Sequence, residues 1–369
     1  MVNKDKIFEL KRKVEEKDEF LGNHLQIPNI PITEETISIV MTASNRSKQT
    51  YFTLQTIENS SHKAIQVIIV DDSDVDPITK EELAKYPFYI DFISINQNNK
   101  NWVNPVVNYN VGFGYIQGSK VVIQNAEVCH VGDVLGYIGS QITPGNYYVC
   151  DVRAAKSLSA NDDIYQSNIN QIDIYNNDSL FGIWYQGRER IVNYHFLTGM
   201  TTDTFNRIKS FSYDYTMGIS YDDDDFLLKI IANNINIINL FQDEYHFGGI
   251  HLWHSSSIKK IRKKIESNEN IFNKKKGYYE KTGQYIDIIK QKIDIIDIID
   301  IPINNNTNLL EIQNLFMQFT NNKILNFYIN KKDMTAVINT FRKCILKGYC
   351  YKNSEIKIPK NLIIKFYYI

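Results

Sequence analysis

Short apolar segments alternate with segments of helical periodicity between residues 37 and 123. Strands are predicted at Ile37–Thr42, Ile65–Val70, Ile90–Ile95 and Val121–Ile123. Ser47 is a candidate N-cap for a helix that carries Tyr51, Leu54 and Ile57 on one face, and Pro105 suits the first turn of a second helix. This alternation is typical of an α/β fold with a parallel sheet, in which ligands bind beyond the carboxyl ends of the strands.

The pattern is less regular between residues 125 and 255. Asp133 is a candidate helix cap, and the acidic run Asp222–Asp225 begins a helix with Phe226, Leu227 and Ile230 on its apolar side. The other elements predicted here are a strand with the sequence Phe196–Gly199, a helix at Thr202–Ile208, a strand at Ile235–Leu240 and a polar, aromatic loop at Glu244–His254.

The two ends of the chain differ from this central region. Roughly the first thirty residues have the pattern of a charged packing helix that Pro28 and Pro31 end. After Ser255 the basic runs Lys259–Lys264 and Lys274–Lys276 predict solvated helix faces, and further helices are predicted at Leu310–Phe319 and Met334–Leu346. We therefore divide the chain into an N-terminal helix (1–34), a catalytic domain (35–255) and a mainly helical C-terminal region (256–369).

Composition and charge exclude several classes of protein. The net charge is −1, so no overall field favours nucleic acid or an anionic membrane. None of the four cysteines forms a CxxC pair, which argues against a zinc ribbon or a thioredoxin-like site. The sequence shows neither a signal peptide nor an apolar run long enough to span a bilayer, and we expect a soluble, cytoplasmic or otherwise intracellular protein.

Polar residues follow two of the predicted strands. Asp71 and Asp72 could accept hydrogen bonds from a base or a ribose, or simply form the turn at the strand end. Asn125 and Glu127 could hold a hard divalent cation, or form an ordinary exit from the strand. The segment Asn101–Gly114 ends with two glycines, which would let the backbone approach a ligand, but it lacks the dinucleotide-binding fingerprint.

Two further clusters predict chemistry. The four carboxylates of Asp222–Asp225 repel one another, so either the helix start is solvated or one of them serves as a general base. His246, His251 and His254 fall in one short segment, which makes a metal ligand plausible although single histidines are usually structural.

Taken in order, these segments resemble the GT-A glycosyltransferases, especially inverting family 2 enzymes and the β-1,4-galactosyltransferase-like group. Ile68–Ser73 resembles the strand end that binds the nucleotide, and Tyr109–Gly112 resembles the Arg-Asn-x-Gly helix, with Tyr109 in place of arginine. Asn125-Ala-Glu127 stands where the family has the Asp-x-Asp metal motif, and Tyr221–Lys229 resembles the segment with the catalytic acid run.

The resemblance implies an α/β, GT-A fold with a Rossmann-like mixed sheet and a set of site residues. Asp223 would be the general base, with Asp222 and Trp253 binding the acceptor. Mn²⁺ or Mg²⁺ would bind to Glu127 and His254, with His251 or Asn125 as a secondary ligand. The residues that would bind the nucleotide sugar are Thr42, Ser44, Arg46, Asp71, Asp72, Asn108, Tyr109, Asn125 and Ala126.

The expected activity is inverting transfer of a sugar, from a UDP-sugar in preference to other donors, to a hydroxyl of a glycan or glycoprotein. One alternative is a sugar nucleotidyltransferase, although the loop Thr42–Ser47 lacks the glycines of that class. A second alternative is a nucleotide-sugar or glycan-binding protein with impaired catalysis, which the amide of Asn125 favours slightly.

Overall fold

The N-terminal residues form a helix and an edge strand. Helix α1 spans Lys4–Glu15 and strand β1 spans Gly22–Pro28, so the helix is shorter than the sequence predicts. Ile7, Leu10 and Val14 form its buried face, in agreement with the predicted periodicity. Strand β1 forms because it pairs antiparallel with the later strand Tyr89–Ile95, with Gln26 opposite Asp91 for example, and local periodicity carries no sign of this long-range pairing.

The computed structural model describes residues 4–17, 21–255, 262–288, 298–303, 324–329 and 363–368. The chain divides into two compact units, residues 1–287 and 288–369.

The predicted α/β alternation is confirmed in the first half of the larger unit. Its elements are β2 (Ile37–Ala43), α2 (Ser47–Glu58), β3 (Ile65–Asp71), α3 (Lys80–Leu83), β4 (Tyr89–Ile95), α4 (Val106–Phe113) and β5 (Lys120–Asn125). Every residue of β3 is buried, as expected for a central parallel strand covered on both faces. Ser47 is the first helical residue of α2 rather than its cap, and its hydroxyl donates to Asp76.

The second half of this unit contains more short strands than the sequence predicts. Its elements are β6 (Val128–Val131), α5 (Val134–Gln141), β7 (Asn146–Cys150), β8 (Val152–Ala155), α6 (Leu158–Gln166), β9 (Phe181–Gln186), β10 (Leu197–Thr201), α7 (Thr202–Ile208), α8 (Asp222–Ala232), β11 (Asn236–Leu240), α9 (Gln242–Tyr245), β12 (Gly248–His251) and α10 (Arg262–Thr282). Asp133 caps α5, as predicted, by accepting from the Gly136 amide. The segment predicted as an aromatic loop at 244–254 contains β12, which pairs with β6 and β8.

A mixed sheet organises the larger unit. Its eight strands lie in the order β1-β4-β3-β2-β5-β10-β7-β11, and β4, β3, β2 and β5 run parallel. Strand β10 runs antiparallel to both β5 and β7, and β6, β12, β8 and β9 form a second sheet. The parallel strands bring Ala43, Asp71 and Asn125 to one edge of the sheet, where a ligand site is expected.

Helix α4 packs closely on the larger sheet. All eight of its residues are buried, and a Cβ at Gly112 would lie 2.8 Å from a methyl group of Val40. This glycine therefore serves helix–sheet packing, and its side-chain hydrogen faces β2 rather than a ligand.

The smaller unit contains a parallel sheet of three strands, β13 (Ile298–Ile303), β14 (Ile324–Ile329) and β15 (Ile363–Tyr368). The helices predicted at 310–319 and 334–346 lie outside the described residues. Within the C-terminal region, α10 is the described helix, and none of the helices in the described part of the chain combines the length and the apolar character needed to cross a bilayer.

Candidate active site

A cleft of about 420 Å³ opens at the carboxyl edge of the parallel strands. It brings together twelve of the residues that the sequence analysis selected: Thr42, Ser44, Arg46, Asp72, Asn108, Tyr109, Asn125, Glu127, Asp222, Asp223, His251 and His254. These residues come from six separate segments of the chain, so their convergence is a property of the fold. Lys100, Tyr185, His195 and Phe196, which the sequence analysis did not select, also line the cleft.

One carboxylate and two imidazoles form a compact cluster in this cleft. Glu127 follows β5, His251 ends β12, and His254 lies three residues further along. Glu127 Oε1 is 3.2 Å from His251 Nε2 and 3.5 Å from His254 Nε2. One ligand atom from each side chain lies within 4.8 Å of the others, a spacing at which all three can contact one cation.

The donor chemistry of this cluster fits a divalent transition metal. Glu127 is 1% exposed, yet its Oε2 has no hydrogen-bond partner among the described residues. Burial would raise the pKa of Glu127, but the Arg46 guanidinium and His251 overcome this effect and hold that pKa well below its usual range. Burial also lowers the pKa of His254, which favours the neutral imidazole that binds metals. Carboxylate plus imidazole suits Mn²⁺ better than Ca²⁺.

A cation of the protein already contacts the same carboxylate. Arg46 donates from Nη1 to Glu127 Oε1, and its side chain is 26% exposed. Arg46 therefore adds positive charge at the position where a diphosphate would approach a metal bound to Glu127.

The end of the cleft that adjoins β3 is built around Asp72. Its Oδ2 accepts from Lys100 Nζ at 2.6 Å and from Asn108 Nδ2 at 3.1 Å, and its Oδ1 accepts from Gln97 at 2.9 Å. Lys100 follows β4 and was missed because a single lysine in a polar loop has no distinguishing pattern. Its ammonium group neutralises Asp72 and remains 25% exposed.

Tyr109 occupies the position of the family arginine and has a different role here. Its hydroxyl lies 3.0 Å from the Gln124 carbonyl and 3.1 Å from Asn125 Oδ1, so it fixes the end of β5. Burial raises the pKa of Tyr109 far above its usual range, which keeps the phenol neutral.

Three predicted site residues lie outside the cleft. Asp71 accepts from Ser73 and from the Ile78 amide, so its buried carboxylate holds the turn after β3. Ala126 is fully buried in the main core. Trp253 packs against a second apolar cluster, and its backbone bonds to Asn161 in both directions.

The aromatic surface of the cleft comes from other residues. Tyr185 on β9 packs against Phe196, with ring centroids 4.6 Å apart, and against His251 at 4.5 Å. Both residues lie in segments of irregular periodicity, where the sequence offers no signal that distinguishes a site residue from a core residue.

The four aspartates at the start of α8 have four different environments. Asp222 accepts from Asn104 Nδ2 at 3.0 Å, and Asp224 accepts from the Tyr194 hydroxyl at 2.8 Å. Asp225 was predicted to cap the helix or face solvent, but it is 1% exposed and lies 3.0 Å from the ammonium group of Lys275. Asp222 and Asp223 alone among the four line the cleft.

Asp223 has the properties that a general base requires. Burial and then the neighbouring Asp224 raise its pKa to about 7, and burial raises the pKa of Asp222 to about 6. A base with a pKa near the working pH combines a useful ionised fraction with sufficient basicity.

His195 lies beside this carboxylate. Its Nε2 is 3.2 Å from Asp223 Oδ1, and burial lowers the pKa of His195 to about 4, which keeps the ring neutral. Its Nδ1 has no partner among the described residues.

Comparisons with known proteins bear on the class of protein. Residues 38–213, just under half of the chain, match the family model described as glycosyl transferase family 2. This segment contains the parallel strands and the cleft residues Asp72, Lys100 and Asn108. The predicted α/β, GT-A fold class is confirmed, whereas the likeness to the β-1,4-galactosyltransferase-like group remains a prediction.

Several solved glycosyltransferase structures are similar to the chain. TarS 1–349 of S. aureus in complex with UDP is 15% identical, with 59% of this chain and 60% of that chain covered and a TM-score of 0.42. The mannosyltransferase PcManGT of Pyrobaculum calidifontis in complex with GDP-Man and Mn²⁺ is 12% identical, with 69% and 67% covered and a TM-score of 0.39. GalNAc-T7 with UDP, GalNAc and Mn²⁺ is 10% identical, with 60% and 44% covered and a TM-score of 0.40.

The match spans 37% of the longer TarS chain and 60% of TarS 1–349. No curated protein sequence matches this chain.

Proposed function

We propose that this protein is an inverting glycosyltransferase that moves a sugar from a nucleotide diphosphate sugar, a UDP-sugar in preference to others, to a hydroxyl of a glycan or glycoprotein. The observation that carries the proposal is the coexistence, in one cleft, of a metal-type cluster at Glu127 and a raised-pKa carboxylate at Asp223. The first suits a diphosphate and the second suits an acceptor hydroxyl.

The donor would bind with its nucleotide toward Asp72 and Asn108. Lys100 and Arg46 supply positive charge along this part of the cleft, which favours a diphosphate over a neutral ligand. Thr42 and Ser44, at the end of β2, supply hydroxyl groups at the same edge of the sheet.

The reaction would be a single displacement. The ionised Asp223 carboxylate accepts the proton of the acceptor hydroxyl while the acceptor oxygen forms a bond to the anomeric carbon. The bond from that carbon to the diphosphate oxygen breaks, and the nucleoside diphosphate leaves with the electron pair. Attack on the face opposite the leaving group inverts the anomeric configuration.

The residues around Asp223 would set the environment of the base and bind the acceptor. His195, whose Nε2 lies 3.2 Å from Asp223 Oδ1, borders the carboxylate and, being neutral, does not pair it with a positive charge. Asp222 binds an acceptor hydroxyl, and Tyr185 and Phe196 offer a sugar an aromatic surface.

Glu127, His251 and His254 would hold Mn²⁺ or Mg²⁺. A cation bound there would supply Lewis-acid stabilisation of the leaving diphosphate. Arg46 adds its own charge to that stabilisation, from its contact with Glu127.

A panel of nucleotide sugars tests this proposal. The purified protein is incubated with UDP-, GDP- and CDP-sugars, in Mn²⁺ and in EDTA, and the released nucleoside diphosphate is measured. We expect release from one UDP-sugar, dependent on Mn²⁺ and reduced by about 10²–10⁴ in an Asp223→Asn protein. Release of pyrophosphate from a nucleoside triphosphate would support a nucleotidyltransferase instead, and donor binding without release would support a binding protein.

A further inference from the structure

A buried ammonium group on α10 lies at the centre of an ionic cluster outside the cleft. The sequence predicts that the run Lys274–Lys276 faces solvent, and Lys274 and Lys276 are indeed exposed. The side chain of Lys275 has 0% exposure, and its Nζ lies 3.1 Å from Asp214, 3.0 Å from Asp225 and 3.5 Å from Asp287. It also bonds to the hydroxyls of Ser212 and Tyr285.

This cluster is connected to the first turn of α8. Asp225 begins that turn together with the cleft residues Asp222 and Asp223. Its Oδ2 lies 2.6 Å from the Tyr285 hydroxyl and 3.0 Å from Lys275 Nζ, so two groups from α10 and the segment after it hold this one carboxylate. Because the helix is rigid, fixing Asp225 restricts the position of Asp223 two residues earlier.

A second contact from α10 supports the backbone just before this turn. Ser220 and Tyr221 are consecutive non-glycine residues in the left-handed region, with φ of 64° and 65°. This backbone conformation costs free energy in residues other than glycine, so contacts with the surrounding structure must maintain it. The buried Asn268 donates from Nδ2 to the Ser220 carbonyl at 2.9 Å, two residues before Asp222.

The packing at this point is close. A Cβ at Gly218 would lie 1.9 Å from Asn268 Oδ1, so α10 fits against the segment that leads into α8. The Ile219 amide also donates to the Lys264 carbonyl of α10.

We propose that Lys275 and Asn268 are positioning residues for the catalytic aspartates, and that α10 is therefore part of the catalytic unit rather than an accessory helix. The role assigned to Asp223 rests on the proposed function. The contacts by which α10 holds the first turn of α8 do not.

Point variants of the full chain test the proposal, each with a matched control on α10. Asn268→Ala removes the bond to Ser220, and Asn270→Ala changes an exposed position two residues away. Lys275→Met removes the buried ammonium, and Lys276→Met removes an exposed one. Lys275→Met combined with Asp225→Asn also removes one of the carboxylates that would be left unpaired, and it serves if the single variant does not fold.

Two readouts are measured for each protein. The first is kcat for sugar transfer beside the Kd of the nucleoside diphosphate. We expect kcat to fall at least tenfold in Asn268→Ala and in the Lys275 variants, with Kd changed less than threefold and with both controls unaffected. A variant with a purely structural defect would instead lose turnover and nucleotide-binding capacity together, each in proportion to the unfolded fraction.

The second readout is amide hydrogen exchange of the peptide that spans residues 219–226. We expect at least tenfold faster exchange in Asn268→Ala than in Asn270→Ala. This measurement needs no turnover, so an inactive wild-type protein would refute the proposed function while the exchange result still decides the positioning role. Unchanged exchange and unchanged kcat in folded Asn268 and Lys275 variants would overturn the inference.

Discussion

Asp223→Asn should abolish most of the transfer activity and at the same time stabilise the protein. Asparagine keeps an oxygen at the position where Asp223 Oδ1 meets His195, 3.2 Å away, but it cannot accept the acceptor proton. General-base assistance is worth about 10²–10⁴ in rate, and we expect a loss of that size in kcat. Donor and metal binding should change little, because Asp72 and Glu127 are untouched.

The stability gain follows from the raised pKa of Asp223. The value rises from 3.8 to about 7 on folding, so the folded state binds this proton more tightly than the unfolded state does. A difference of roughly three units corresponds to about 4 kcal/mol of destabilisation above pH 7. Water screens the carboxylate, whose side chain is 28% exposed, and we expect a net gain of about 1–2 kcal/mol from the neutral asparagine.

The stability difference between Asp223→Asn and the wild-type protein depends on pH. Above pH 7 Asp223 is ionised in both the folded and the unfolded wild-type protein. The destabilisation by the buried charge, and therefore the stability gained in Asp223→Asn, is then at its maximum. As the pH falls from 7 toward 3.8, the folded state is protonated first and the gain shrinks to zero. Denaturant unfolding of both proteins at several pH values, beside kcat for transfer, measures the two effects.

Asp224→Asn is the matched control. Its carboxylate accepts from Tyr194 outside the cleft, and an asparagine oxygen can still accept that bond. Removing the charge of Asp224 lowers the pKa of Asp223, so turnover at pH 8 should stay near the wild-type value while the pH profile of kcat/KM moves to lower pH. Wild-type turnover in Asp223→Asn, or a loss of stability in that protein at pH 8, would refute the reasoning. A dead Asp222 or Asp224 variant beside an active Asp223 variant would mean that the base has been assigned to the wrong aspartate.

Four other outcomes are expected. Asp72→Ala should weaken nucleotide binding by about 1–3 kcal/mol in calorimetry, and unchanged affinity would contradict the donor placement. Excess EDTA should remove activity, and Glu127→Gln should lower Mn²⁺ affinity at least tenfold; full activity in EDTA would leave Arg46 and Lys100 to stabilise the leaving group. Finally, kcat/KM should rise with pH and level off above about 7, as Asp223 ionises, whereas a flat profile from pH 5 to 8 would argue against this base.

The parallel strands and the polar residues at their ends could be predicted from the sequence. Four of the strands are short apolar runs bounded by polar residues, and their carboxyl ends must meet at one edge once they pair in parallel. This reasoning correctly grouped Asp72, Asn125 and Glu127. It also included Asp71, because periodicity cannot show that the carboxylate of Asp71 turns inward to hold the Ile78 amide.

Residues that depend on tertiary contacts could not be predicted. Lys275 looks like its neighbours in a basic run, and its burial is decided by three carboxylates from distant segments. His195 lies in an irregular segment, and only the folded chain brings it within 3.2 Å of Asp223 and against the ring of Phe226. Trp253 was the obvious aromatic residue near the histidines, but an apolar cluster buries part of it while Tyr185 lines the cleft.

The most direct test of the account is a crystal structure with a nucleoside diphosphate and Mn²⁺, with the metal located by its anomalous scattering. The account predicts the nucleotide against Asp72 and Asn108, and one manganese peak bound to Glu127, His251 and His254. It also predicts that Asp223 faces open space beyond the diphosphate, where an acceptor hydroxyl can enter. A nucleotide bound elsewhere, or an ordered diphosphate whose manganese contacts none of these three side chains, would contradict it.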